Sequence, residues 1–276
     1  MDDASRDVPL ASFEAKWASA CPEFELALTF VPAALRVPYG AFACIGYEIE
    51  HAAFGIREAQ PAALKLQWWA EEFARTRDRS ARHPLTQALA ALPGVAVASL
   101  AQWQDVVVGA FAQRDPEPAA DAAALFDAYA ALYRPLAMIE AALFAPLDAA
   151  TLAHARALAR AVRETATLGD ALRDGRLPLP LDLLARHRLA RGDLAHASPA
   201  QAAALRDWLG VLRARHATLE ATNGGPLAAA GASADRWRLR SAAAADDPLA
   251  ALQAAMTRLP LRASWAAWRA GRRWAR

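Results

Sequence analysis

Apolar residues along this chain recur at three- and four-residue spacing, and they do not alternate with polar ones for more than a few positions. A half-buried strand needs a period of two and a helix a period of 3.6, so the pattern excludes a sheet before any motif is considered. Phe42, Ile45, Ile49, Ala52 and Ile56 form one helical stripe, with Tyr47, Glu50 and His51 on the opposite face. Leu66, Trp69 and Phe73 form another, while Leu64 and Trp68 give the same segment, 61–78, a second apolar face. A helix apolar on two faces is expected to lie between neighbours, with Trp68 buried beside Trp69. Alanine and leucine dominate a chain that is 55% apolar, and the strand-favouring Val, Ile, Thr and Tyr are scarce. The expected class is all-α, with roughly seven to ten helices around one core.

Local signals divide the chain further. Pro32 and Pro38 are expected to break residues 22–58 into two helices, and His83-Pro84 opens a helix that Pro93-Gly94 closes. Asp148 is the expected N-cap of a long helix from Ala149 to about Leu172. Ser198-Pro199-Ala200-Gln201 reads as a capping box, and Asn223-Gly224-Gly225-Pro226 as a stop. Residues 226–248, rich in Ala, Gly, Ser and Asp, read as a flexible linker between a helical domain, 1–225, and a basic Trp/Arg-rich helix, 249–276.

A formal charge of +2 is too small for nucleic-acid binding across the surface. Lys16 and Lys65 are the only lysines, and the arginine excess reads as a genome-wide bias. Cys21 and Cys44 offer neither a disulfide framework nor metal-ligand spacing. The acidic start lacks the pattern of a signal peptide, and no apolar run approaches ~18 residues. These features predict a cytoplasmic protein, at most peripheral on the inner face of a membrane.

Three stretches in order resemble the squalene/phytoene synthase family. AFACIGYEIEHAAF, 41–54, stands where that family carries its first aspartate-rich motif. LKLQWWAEEFARTRDRSARHPLTQAL, 64–89, is similar to the family's Trp-Trp helix with its downstream His-Pro step. LGDALRDGRLPLPLDLLARHRL, 168–189, resembles its Asn-x-Leu-Arg-Asp, Gly-Arg and Leu-Pro-Leu-Asp-Leu-Leu run. The resemblance implies an isoprenoid-synthase fold around a central cavity, in which aspartates hold Mg²⁺ against a prenyl diphosphate.

Both motifs depart from that pattern. The paired acidic positions of the first fall on Tyr47 and His51, which are poor ligands for a hard cation. In the second, Asp170 replaces the asparagine, Arg173 and Asp174 remain, and the chain then runs straight into Gly175-Arg176. Asp170 and Asp174, with Glu48 or Glu50, are the candidate metal and diphosphate ligands, and Arg36 and Arg173 the candidate diphosphate contacts. The broken motifs resemble those of non-catalytic members that serve respiratory-complex assembly. The expectation is a degenerate member acting as an isoprenoid- or lipid-binding or assembly protein, with no certain cofactor. The alternative is an active Mg²⁺-dependent head-to-head prenyltransferase.

The last nineteen residues or so, RLPLRASWAAWRAGRRWAR, hold six arginines and no acid. Leu261, Trp265 and Trp268 fall on one helical stripe, flanked by Arg258, Arg262, Arg269 and Arg276. Trp265, Trp268, Arg262 and Arg269 are the expected contacts to an anionic membrane surface or a membrane-bound partner.

Overall fold

Prolines and short polar side chains set most of the helix starts. The computed structural model describes residues 4–92, 95 and 98–274, with side chains from Leu10 onward. The expected stop at Pro93-Gly94 and the terminal Arg276 lie outside the described residues. Among the described residues every regular element is helical. The elements are α1 (Ala4–Ala20), α2 (Pro22–Leu28), α3 (Ala33–Glu50) and a π-helical turn, His51–Gly55, followed by α4 (Ala59–Arg77), α5 (Pro84–Ala90) and α6 (Leu100–Ala112). Then come α7 (Ala122–Leu143), α8 (Ala149–Ala166), α9 (Leu168–Arg173), α10 (Leu181–Arg186) and α11 (Pro199–Ala217). Last are α12 (Gly225–Ala243), α13 (Pro248–Met256) and α14 (Leu261–Trp274).

The caps follow the sequence closely. Asp148 accepts from the Thr151 amide at 2.7 Å, and Ser198 from that of Gln201 at 3.1 Å. Gln201 does not complete the expected box, because its side-chain amide donates to the Leu194 carbonyl instead. His83 caps α5 through Nδ1, which accepts from the Leu85 amide. The helix begun at Ala149 ends at Ala166, short of Leu172, and Thr167 separates it from α9.

α3 runs through the middle of the molecule, buried at every residue from 38 to 46. A break is expected near Pro38, yet the helix continues through it. Proline there forfeits the bond to the carbonyl of Ala34, and the buried stretch that follows outweighs the loss. On α4, Leu66, Trp69 and Phe73 are buried as expected. Trp68 departs from expectation and is 39% exposed, on the face it shares with exposed Leu64. Its ring still packs edge-on against Trp69 and His83. α6 and α7 touch backbone to backbone at Gly109, where a Cβ would sit 2.2 Å from the Ala131 carbonyl oxygen.

The expected linker is corrected outright. Residues 225–243 form α12, with Leu227, Ala229, Ala230, Ala232, Ala234 and Leu239 all buried. The small residues that read as a loose linker let α12 pass close to α2, α8, α11, α13 and α14. Gly231 admits the Phe24 ring, 3.1 Å from where a Cβ would stand. The 249–276 segment is corrected too: its described part holds two helices, and α14 packs along α12 with Ala263, Ala267, Ala270 and Gly271 buried.

Candidate functional site

Two adjoining cavities open between α3 and α8. The inner one has apolar walls from Trp17, Phe24, Leu152 and Leu227, with Glu140 and Arg156 set among them. The outer one is ringed by Arg57, Arg160, Arg163, Arg176, Asp170 and Asp174. Cys21, Tyr47, Glu50 and Arg163 line both and so form the neck between an apolar chamber and a charged mouth.

The π-helical turn builds one rim of the mouth. His51 lies so close over the turn that a Cβ on Gly55 would come within 2.9 Å of the imidazole, so a larger residue there would push the ring aside. Burial, then the nearby lysines Lys65 and Lys16, hold the His51 pKa below its usual value and keep the ring neutral. Tyr47 lies over it, 6.3 Å between centroids, and burial pushes the phenol pKa up. Neither group supplies the anionic oxygen that a hard cation prefers.

Each carboxylate around the mouth is held by a guanidinium. Arg163 donates to Glu50 at 2.9 Å, Arg57 pairs with Asp174 at 2.8 Å, and Arg173 pairs with Asp170. Behind them Glu164 is buried and takes Arg160 at 2.9 Å, Tyr129 at 2.6 Å, and Arg176. Burial works to raise the Glu164 pKa, but Arg160 and Arg176 outweigh it and hold the group ionised below its ordinary value. Deeper still, Arg156 and the Tyr39 hydroxyl both donate to Glu140, at 2.6 and 2.8 Å.

The structure separates the other candidates. Glu48 points away from both cavities and is clamped by Lys16 at 2.6 Å and Lys65 at 2.5 Å. Burial raises its pKa, but those two ammonium groups outweigh burial and the net shift is downward. Arg36 donates to the Thr29 and Val31 carbonyls and braces the turn between α2 and α3, away from the mouth. Of the acids after the Trp pair, Glu72 is buried and accepts from Thr86 and the Arg82 and His83 amides, a bracing role, while Glu71 is exposed.

The mouth does not fit Mg²⁺. That ion requires several converging oxygens in near-octahedral geometry, whereas Glu50, Asp170 and Asp174 each face an arginine. Among the described residues no three Asp, Glu, His or Cys side chains converge as a metal site would need.

Sequence reasoning missed Arg57, Arg160, Arg163 and Arg176. A signal was present in ARALARAVRE, where Arg156, Arg160 and Arg163 recur at i, i+4 and i+7 on one face of α8. Reading arginine as compositional bias hid that stripe.

No protein-family model matches this chain, and no curated protein matches it by sequence. Solved structures do. A crystal structure of a dehydrosqualene synthase in complex with ligand aligns with 92% of this chain and 97% of its own, at a TM-score of 0.67 and 13% identity. A squalene synthase, HpnC, from Alicyclobacillus acidocaldarius aligns with 92% of this chain and 95% of its own, at a TM-score of 0.61 and 14% identity. The chain therefore has the all-α fold of the squalene and dehydrosqualene synthases over most of its length.

Proposed function

We propose that this protein is a degenerate squalene/phytoene synthase-like protein that binds an isoprenoid or related lipid without condensing it. One observation carries the reading: the acids at the cavity mouth are neutralised by arginines of the same chain. A carboxylate engaged by a guanidinium gains charge-assisted hydrogen bonds that a metal would have to displace. The apolar chamber behind suits a hydrocarbon chain.

A second reading, an active Mg²⁺-dependent head-to-head prenyltransferase, draws on Glu50, Asp170 and Asp174 sharing one mouth. It would require three ion pairs to open around the ion, and the first reading is preferred for that reason. We place the protein at a membrane periphery, where a lipid-binding or assembly role would be exercised. Among the described residues no helix is long and apolar enough to cross a bilayer.

The test is a thermal-shift titration with farnesyl and geranylgeranyl diphosphate, with Mg²⁺ and with chelator. A native-state ligand raises apparent stability by mass action. The expected result is equal stabilisation in both conditions. Stabilisation that vanishes with chelator would support the enzyme reading instead.

A further inference from the structure

We propose that the outer face of α14 seats this protein on an anionic lipid bilayer. The proposal rests on the peripheral placement above and is independent of what fills the cavity. At 100° per residue, the positions of α14 divide into two opposed arcs. Ala263, Ala267, Ala270 and Gly271 form the inner arc and are buried. Gly271 comes so close to the turn after α2 that a Cβ would sit 2.3 Å from the Phe30 carbonyl oxygen. Trp274 anchors the far end, its indole N–H donating to the Ala145 carbonyl at 3.1 Å. The helix is thus held rigidly along its length, and its other face has a fixed direction.

That outer face pairs apolar bulk with positive charge. Leu261 is 89% exposed and Trp265 59% exposed, which folding of the chain alone does not account for. Trp265 stacks on the half-buried Trp268, centroids 4.6 Å apart, and Arg272 stands over the Trp268 ring at 5.4 Å. Arg262 and Arg269 flank the stripe and are exposed. No acidic residue occurs from Arg258 to Trp274, so nothing within the segment offsets these charges.

The chemistry favours a bilayer over an acidic protein surface. Indole is accommodated at headgroup depth, guanidinium meets lipid phosphate, and a helix lying flat presents both at one level. The arginines of the mouth and of α14 also differ. Those at the cavity mouth are matched by carboxylates, whereas Arg262, Arg269 and Arg272 have no carboxylate within ion-pair distance among the described residues.

Co-sedimentation of the full chain with phosphatidylcholine vesicles, with and without phosphatidylglycerol, tests this. Binding should rise on adding the anionic lipid and fall with salt. Arg262→Glu with Arg269→Glu should weaken it by about fivefold or more per arginine. Leu261→Ser with Trp265→Ser should weaken it without changing charge, which separates insertion from simple attraction. Both double variants alter exposed side chains and should keep the helical circular-dichroism spectrum and any prenyl-ligand thermal shift, so this proposal and the cavity reading fail separately. Equal pelleting with both lipid mixtures, or double variants that pellet like wild type, would overturn it. So would capture by an acidic protein surface without vesicle binding.

Discussion

Arg163 Nη2 donates to Glu50 Oε2 at 2.9 Å across the seam between α8 and α3, joining residues 113 positions apart in sequence. Both side chains are largely withdrawn from solvent, and both line the neck between the apolar chamber and the charged mouth. Burial disfavours the charged guanidinium, but Glu50 outweighs it and the Arg163 pKa is raised. The pair occupies the neck with compensated charge.

Removing one partner of such a pair strands the other. Arg163→Met is expected to cost about 2–3 kcal/mol in urea unfolding, below the figure for a fully buried pair because this one is partly solvated. Adding Glu50→Gln should recover part of that loss, giving a coupling of about 1 kcal/mol or more in the double-mutant cycle. Strictly additive losses would show that the two groups act independently.

Head-to-head condensation should be undetectable. Incubation with prenyl diphosphates and Mg²⁺ should leave no squalene- or phytoene-type product. Turnover in the ordinary range, about 1 s⁻¹ or more, would overturn the proposed function. In that event Asp170→Asn and Asp174→Asn should each abolish it.

His216 predicts an acid-sensitive native state. The ring is fully buried, and neither nitrogen has a protein hydrogen-bond partner. Burial, then Arg236 and His154, hold its pKa down at about 3. The unfolded chain takes up that proton below about 6.5 while the folded chain resists it, so stability present above pH 6.5 is lost as pH falls toward 3. Asp235, pushed up by burial to about 6, works in the opposite sense as the pH falls from there to its ordinary value. His216→Leu removes the first effect and keeps the second. Relative to wild type, the variant should gain about 1.4 kcal/mol per pH unit between roughly pH 6 and 4, read from urea midpoints. A constant difference across that range would refute the assignment.

Two glycines should respond in opposite directions. Gly109→Ala drives a methyl into the α7 backbone and is expected to cost about 2–3 kcal/mol. Gly210 is exposed on α11, and a methyl added there would meet nothing within 4 Å. Gly210→Ala should therefore gain about 0.5–1 kcal/mol. Thermal unfolding of the two single variants checks both signs.

The sequence alone determined whatever depends on neighbours along the chain. The 3.6-residue stripes of α3 and α4 predict helices, and the buried Leu66, Trp69 and Phe73 follow from them. Asp148 and Ser198 cap where they are read to cap, because a cap needs only the next three residues. Three motif stretches in order carried the resemblance, and the fold they imply is the one observed.

Tertiary structure decided the meaning of residues whose role depends on what lies opposite. Alanine and glycine in 226–248 read as loose, yet the same small volumes are what a helix needs to pass close among several others. Trp68 is apolar in the same pattern as Trp69, but its face is only partly covered and stays 39% exposed. The arginines of α8 became legible only when Glu50, Glu140 and Glu164 stood beside them. Helical periodicity is a local property, whereas burial and charge pairing belong to contacts between distant segments, and a linear pattern does not specify which segments meet.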